Sequence, residues 1–595
     1  MDHHAKDVTA TEIEHTSSTS PASLKPIEEN DALHGFQAEE SSLPKGYYRS
    51  SFFIGTMFAT GLGLAAGVGG FALAAPNLAV INADIGPDAN LAWVALVYTL
   101  TLAVGLLLVG RLSDLFGRRW FFICGSILAL IGNIVAATAQ SIPALIGATT
   151  LIGLAASTQL SFSFVSNELV PMKYRFLTNA WLYLWTVPIS GLGPAISKAF
   201  ILRTSSGWRW CYYLMIILNT LSGLLYFCFY HPPTFNMKFK NRSKLQQFKD
   251  FDFVGCLLFT GGLLLFVMGL SWGGGLYPWK SGHVIGTVVS GALGIVAFFL
   301  WEIYVPLKEP VVPMHLFKNI EWVASCLLLS LGASVYYAMA TIWPSMVAVL
   351  YTDDGGASMY AGWLNCISGT LIVAGQISAG CFAVAIGKTK FQCITALVIG
   401  GALLGAMASC TSESKDRAIA LMTVGCFAIG WNESVCLANA GIEIEDQQEI
   451  GTAVGMAGSI RSAISTVCSS VYTAVLINRL GQTIPAEVPP AVVAAGLPAS
   501  SVPAFLGALT TGNYSGIQGL TTEITLVGVK AYKEANAHAY STVFLTSLAF
   551  SGLAIVISFW SPNVDEKMTG EVATTLHQRD KTLVGENKLY TESKV

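Results

Sequence analysis

Fourteen apolar runs divide this 595-residue chain: 52–75, 91–110, 120–140, 143–165, 177–197, 211–230, 253–271, 283–304, 322–345, 359–382, 391–410, 417–438, 452–476 and 540–560. Each is close to the ~20 residues that a helix needs to cross ~30 Å of hydrocarbon. Lipid offers the backbone no hydrogen-bond partners, so runs of this length cross it as helices. The pattern predicts an all-α polytopic membrane protein with fourteen transmembrane helices, numbered here as spans 1–14. Only 12% of residues are charged, about half the share carried by soluble domains, and many of these sit in the two tails. The stretch from 51 to 561 therefore cannot coat a soluble surface. Together with a mean hydropathy of +0.57, this excludes a soluble enzyme, a nucleic-acid binder and a secreted scaffold.

An even number of spans puts both termini on one side. With the N-terminus inside, the short inner loops hold fourteen Lys and Arg, including Arg111, Arg118, Arg119, Lys238, Lys240 and Arg242, against nine outside. The positive-inside rule thus places both termini in the cytoplasm. Residues 1–50 carry nine acidic and four basic residues and no apolar run after a basic start. They are expected to be a disordered cytoplasmic tail and not a signal peptide. The expected organisation continues with a six-helix bundle over 51–231, a basic loop and two extra helices over 232–310, a second six-helix bundle over 311–561, and a cytoplasmic tail over 562–595. Residues 477–539, with Pro485, Pro489, Pro490, Pro498 and Pro503, read as a long outer loop. It contains Asn513-Tyr514-Ser515, the one sequon placed outside, so Asn513 is the expected glycosylation site.

The chain shows no catalytic constellation. Its twelve cysteines fall almost all in apolar runs and none forms CxxC, and its nine histidines lie in the tails or near span ends. That pattern gives no disulfide framework, no metal site and no cofactor. No nucleophile–base arrangement is visible, and no GxxxxGK[ST] loop is present to bind ATP. The expectation is a non-enzyme.

The most specific signal is Gly110-Arg111-Leu112-Ser113-Asp114-Leu115-Phe116-Gly117-Arg118-Arg119, between spans 2 and 3. Gly110 and Gly117 suit a sharp hinge. Asp114 suits the positive end of a neighbouring helix. Arg118 and Arg119 suit acidic partners or lipid phosphate. This loop resembles the signature loop of the major facilitator superfamily, which implies two six-helix bundles around a central cavity that opens alternately to either side. On that fold spans 7 and 8 would be the extra pair. Further stretches resemble the fourteen-span drug:proton antiporters: Gly207-Trp208-Arg209-Trp210, Asp252-Phe253-Val254-Gly255 and Pro310-Val311-Val312-Pro313. Others resemble the fungal trichothecene efflux pump family: Ile81-Asn82-Ala83-Asp84-Ile85-Gly86, Glu168-Leu169-Val170-Pro171, Gly430-Trp431-Asn432-Glu433-Ser434 and Ile450-Gly451-Thr452-Ala453.

Span 5 carries Pro188, Gly191, Gly193 and Pro194, similar to the antiporter motif of that helix, with Ile189 and Ser197 where flanking glycines would stand. Two coupling residues of such antiporters are replaced. Thr149 stands where an arginine precedes Gly153, and Gly67 stands where an aspartate precedes Pro76. Proton coupling must then use other groups. Glu433 is placed well inside span 12, where a charge costs roughly 2.5–3.5 kcal/mol on insertion scales, so it is the leading candidate. Its alternative is a structural acid neutralised by Arg461. Glu168 is the second candidate, with an inner gate paired to Arg118 as its alternative. Trp185, Tyr336, Trp363, Asn365, Gln376, Asn432 and Asn439 are the expected lining of a cavity for a bulky, mostly apolar solute.

These readings converge on a secondary active transporter that exports a hydrophobic or amphipathic small molecule by proton antiport. Proton-coupled siderophore-iron uptake and a transporter-like sensor without net flux are the alternatives. The expected partners are a small-molecule substrate, protons and the bilayer, and no nucleic acid. The expected state is a monomer in the plasma membrane, with a vacuolar or vesicle membrane as the alternative.

Overall fold

The computed structural model describes residues 36–39, 43, 46–88, 90–232, 248–274, 276–444, 449–511 and 514–574. Among them, thirteen helices are long and apolar enough to cross a membrane. In the first half these are Ser51–Ile85, Trp93–Phe116, Arg118–Thr138, Ile142–Leu169, Arg209–Phe229, Phe253–Trp272 and Gly282–Tyr304. In the second half they are Ile320–Tyr351, Met359–Ile386, Thr389–Ser409, Lys415–Ile442, Ile450–Ala494 and Thr522–Ser558. The fourteenth is span 5, which is broken. It runs as Arg175–Leu184, a widened turn at Val187–Gly191, and Gly193–Arg203. Pro188 and Pro194 each remove a backbone donor from the middle of this span, which is why it cannot continue as one regular helix.

Spans 1–6 form one bundle and spans 9–14 the other. The bundles meet chiefly along two helix pairs, spans 2 with 13 and 5 with 10. Small residues allow that approach. At Gly110 an added Cβ would lie 2.7 Å from the Gly451 carbonyl oxygen and 3.0 Å from Gly455 Cα, so spans 2 and 13 touch backbone to backbone. Spans 7 and 8 pack on each other, and span 7 meets the edges of spans 2 and 13. Their inner ends are fixed by two buried acids. Asp252 accepts from the Gly255 amide (2.9 Å) and Trp301 Nε1 (3.0 Å). Glu302 accepts from the amides of Val311 (3.1 Å) and Val312 (3.2 Å).

The stretch 477–539 is not the loop its prolines predict. Span 13 continues as helix to Ala494 through Pro485, Pro489 and Pro490, a short helix follows at Val502–Thr511, and span 14 begins at Thr522. These pieces share a small core of Val488, Val492, Phe505, Ile524 and Ala535, and this packing holds the helix together past its prolines. Lys533 ties this outer crown to Asp353 at the end of span 9 (3.0 Å). Asn513 lies outside the described residues.

The two tails meet on the opposite face, called inner below. Strand β1 (Phe36–Glu39) pairs antiparallel with strand β2 (Glu571–Thr574). Both ends of the span array therefore emerge on one side. These described parts of the tails are ordered structure, where the sequence predicts disorder over 1–50.

A central cavity above a closed gate

The inner gate starts from the Gly110–Arg119 loop. Gly117 ends span 2 with φ 92°, a left-handed value that a side chain resists, and this lets span 3 start at once at Arg118. Asp114 is thereby aimed across the bundle interface. Its Oδ2 accepts from the Thr452 amide (2.6 Å) and the Thr452 hydroxyl (2.7 Å) in the first turn of span 13. That is a carboxylate on a helix N-terminus, where the free amides and the dipole favour an anion. Arg118 is buried between Asp114 Oδ1 and Glu168 Oε1, 2.7 Å from each, and lies 5.4 Å from the centre of the Phe164 ring. Arg119 turns aside to the Phe227 carbonyl (2.9 Å). Beside the loop, Arg175 Nη1 donates to the Gly441 carbonyl (3.0 Å), a second tie between the bundles.

Above this network lies a narrow cavity between the bundles, with about 80 Å³ open to the centre of a water-sized sphere. Its floor is apolar: Phe162, Phe164, Leu437 and Val454. Its walls carry Phe71, Tyr98, Tyr183, Tyr336 and Tyr337, with Thr186 and Ser190 from broken span 5. Ser190 Oγ and Tyr336 Oη are 3.3 Å apart across the bundles. One charged group interrupts this aromatic lining. Glu433 of span 12 accepts from Arg461 Nε of span 13 (2.9 Å) and again from Arg461 Nη2, while its other oxygen accepts from Gln376 Nε2 of span 10 (3.1 Å). The Arg461 guanidinium lies 5.8 Å from the centre of the Tyr337 ring. The acid is neutralised and hydrogen-bonded, which is what a buried carboxylate requires.

Of the seven expected cavity residues, Tyr336 and Gln376 line it. Five do not. Trp185 lies on the other face of span 5 from Tyr183 and Thr186, packed on Phe58 and Trp181 toward lipid. Trp363 is 57% exposed on the outside of span 10. Asn365 is half-buried on span 10, two turns and more before the lining residues Ile372 and Gln376. Asn432 turns into its own bundle, donating to the Leu328 carbonyl of span 9 (3.3 Å). Asn439 lies two turns on from Asn432 on that same face, buried, and its amide has no hydrogen-bond partner among the described residues. For Trp185, Trp363, Asn432 and Asn439 the helix is rotated so that the adjacent face meets the cavity, whereas Asn365 shares the face of Ile372 and Gln376 but lies about two turns beyond the cavity's end.

The span 5 motif sits at the bundle contact. Gly191 accepts from Thr370 Oγ1 of span 10 (3.0 Å), and Gly193 packs on Leu73 of span 1. Pro194 is buried and Pro188 is exposed. Thr149 is occupied within its own helix by the Leu145 and Ile146 carbonyls (3.0 Å each). Gly67 offers its carbonyl to Tyr98 Oη (2.6 Å). Sequence reasoning missed Thr452 as the partner of Asp114, although it lies in one of the stretches that resemble the family. It also missed Thr186 and Ser190, whose four-residue spacing places two hydroxyls on one helical face. Among the described residues no group of three His, Cys, Asp or Glu side chains comes together as metal ligands.

The sequence is similar to that of known proteins. The family described as Fungal trichothecene efflux pump (TRI12) matches residues 29–592. The Trichothecene efflux pump TRI12 of Trichoderma arundinaceum is 30% identical over 562 residues, covering 92% of this chain and 92% of its own. Its namesake in Fusarium sporotrichioides is 28% identical over 91% of each chain. The MFS-type transporter prx5 of Penicillium rubens is 28% identical over 76% of this chain and 82% of its own. Among solved structures, the MFS proton:xylose symporter XylE bound to 6-bromo-6-deoxy-D-glucose aligns with a TM-score of 0.52 at 15% identity, over 88% of this chain and 99% of that one. That likeness concerns the fold alone, which is the major facilitator fold.

Proposed function

The chain belongs to the fungal trichothecene efflux pump family, and from that premise we propose that it exports an apolar or amphipathic secondary metabolite of trichothecene type by proton antiport. The observation that carries this reading is the Glu433–Arg461–Gln376 cluster, one ionic group on the wall of an otherwise apolar and aromatic cavity. An uncharged, bulky solute suits such a lining. A carboxylate held by an arginine suits a proton carrier, because protonation removes the attraction that fixes the arginine. Glu433 takes a proton when the cavity faces the acidic outer side, Arg461 is released, and the bundles reorient. Loss of the proton inward restores the pair. Asp114, Arg118 and Glu168 supply the inner gate, with Glu168 acting there and not as the coupling acid.

The basic inner loops and the shared face of the tails support cytoplasmic termini. We place the protein in the plasma membrane as a monomer, with the crown outside and Asn513 available for glycosylation. The test is accumulation of tritiated trichothecene in cells with and without the gene, each with and without a proton uncoupler. Lower accumulation in the expressing cells, abolished by the uncoupler, is the expected result. Gene-dependent accumulation in place of depletion would reverse the direction of transport.

A further inference from the structure

Beyond span 14 the chain does not leave the protein. It turns along the inner face and touches both bundles in succession. The first contacts are with the second bundle. Thr389 Oγ1 donates to the Pro562 carbonyl (3.2 Å), and its amide donates to Asn563 Oδ1 (3.1 Å). The Lys388 amide donates to Asp565 Oδ2 (2.7 Å). Val564 is fully buried. Lys567 Nζ then bridges Glu443, at the end of span 12, and Glu321, at the start of span 9, at 2.6 and 3.3 Å. Two residues later the chain has reached the first bundle. The Lys173 amide, in the turn between spans 4 and 5, donates to the Thr569 carbonyl (3.3 Å), and the Thr569 hydroxyl meets Met172 Sδ at 3.6 Å. Strand β2 packs on the inner end of span 4 with Val572 fully buried, and β1 closes over its edge.

We propose that residues 562–574 are a strap that holds the inner gate shut and must detach from one bundle each time the gate opens. This rests on the alternating-access reading above. Opening inward requires Lys173 and the end of span 4 to move away from Glu443 and Lys388. The five residues from Asp565 to Thr569 are fixed at both ends, so they cannot follow that motion while both sets of contacts hold. The N-bundle side includes the Lys173–Thr569 hydrogen bond, the Met172 contact, Val572 packed on span 4 and a two-stranded sheet, which alone is marginally stable in water. The C-bundle side has four hydrogen bonds between Thr389 and residues 562–564, the Lys388–Asp565 bond and a two-acid ion cluster around Lys567. The strap therefore releases from Lys173 and span 4 and stays on the second bundle, carrying β1 with it. The N-terminal tail thereby joins the gate: whatever binds residues near 36–39 competes with the strap.

Two measurements test this on the full-length protein, one of them independent of any substrate. The first is hydrogen–deuterium exchange in detergent on Lys567→Glu, which faces two acids and expels the strap. Amides at 110–119 and 441–452 should exchange about tenfold faster, with those of the outer crown unchanged. Unaltered exchange at the gate overturns the proposal. The second uses Lys173→Cys with Thr569→Cys, whose backbones already touch. Oxidation to the disulfide should abolish tritiated-trichothecene export, and reduction should restore it, while wild type ignores both treatments. Full export by the cross-linked protein also overturns the strap. Failure of wild type to export trichothecene would sink the substrate assignment and leave the exchange experiment to decide the strap.

Discussion

Asp114 and Thr452, 338 residues apart, are joined by two hydrogen bonds to one carboxylate oxygen, 2.6 Å from the amide and 2.7 Å from the hydroxyl. The link crosses the bundle interface at the point where spans 2 and 13 touch without side chains between them. It makes the first turn of one bundle's helix a receptor for the other bundle's loop.

Asp114→Asn should therefore unbalance the gate and leave the fold intact. Hydrogen bonds to charged groups contribute about 1.5–3 kcal/mol each, so weakening this pair shifts the open-to-closed ratio roughly 10- to 100-fold. Arg118 keeps Glu168 as a partner, so expression should hold. Export measured in correctly localised protein should fall at least tenfold. Wild-type flux at wild-type abundance would remove Asp114 from the gate.

For the cavity pair, Glu433→Gln should retain substrate exchange across the membrane and lose pH-driven net export. The variant leaves Arg461 buried without its counter-charge, which costs about 3–5 kcal/mol when a pair is broken from one side. Lower thermal stability is expected, and the double variant with Arg461→Gln should recover it without recovering coupling. If Glu433→Gln pumps normally against a pH gradient, Glu433 does not carry the proton.

Lys567 and Glu443 should respond to pH asymmetrically. Burial holds the Glu443 carboxyl above the ordinary carboxylate range, with Lys567 opposing that shift only in part. Its contribution to stability is therefore full at acid pH and declines as pH rises through the raised value. Glu443→Gln, fixed in the neutral form, should be neutral or stabilising at pH 8. Lys567→Met should be destabilising at pH 8, by about 1–3 kcal/mol for a buried carboxylate left without its cation, and close to wild type at pH 4. Thermal unfolding at the two pH values decides it. Equal losses for both variants at pH 8 would mean that the ion pair, and not burial, sets the balance.

The corrected cavity lining makes a specificity prediction. Tyr336→Ala removes a wall ring and should raise KM for the exported compound roughly 2- to 12-fold, in keeping with about 0.5–1.5 kcal/mol for one aromatic contact. Trp185→Ala and Trp363→Ala face away and should change KM less than twofold. A large KM effect at Trp363 would return that helix face to the cavity.

The spans and the hinge loop were readable because each depends on local chemistry: run length, and two glycines around an aspartate. The cavity lining was not. A membrane helix is apolar on its lipid face as well as its packed face, so the sequence carries little sign of which way Trp185, Trp363 or Asn432 turns. The proximity of Glu433 and Arg461 was readable as a need for neutralisation. Their geometry, with Gln376 supplying the third contact, depends on the packing of three spans. The crown was misread because prolines usually end helices. Here Pro485, Pro489 and Pro490 lie toward the outer end of span 13, where tertiary packing on Phe505 and span 14 compensates.

The length of span 13 has one more consequence. Its 45 residues extend roughly 65 Å at ~1.5 Å per residue, and one rod carries Thr452 at the gate, Arg461 in the cavity and Val488 in the crown. With Arg461 as fulcrum, the arm to Thr452 is ~14 Å and the arm to Thr483 ~33 Å. Each ångström of travel at the gate then swings the outer arm by roughly two to three in the opposite sense. The crown is a pointer on that lever, and a fluorophore on it reads whether the gate at the opposite end of span 13 stands open.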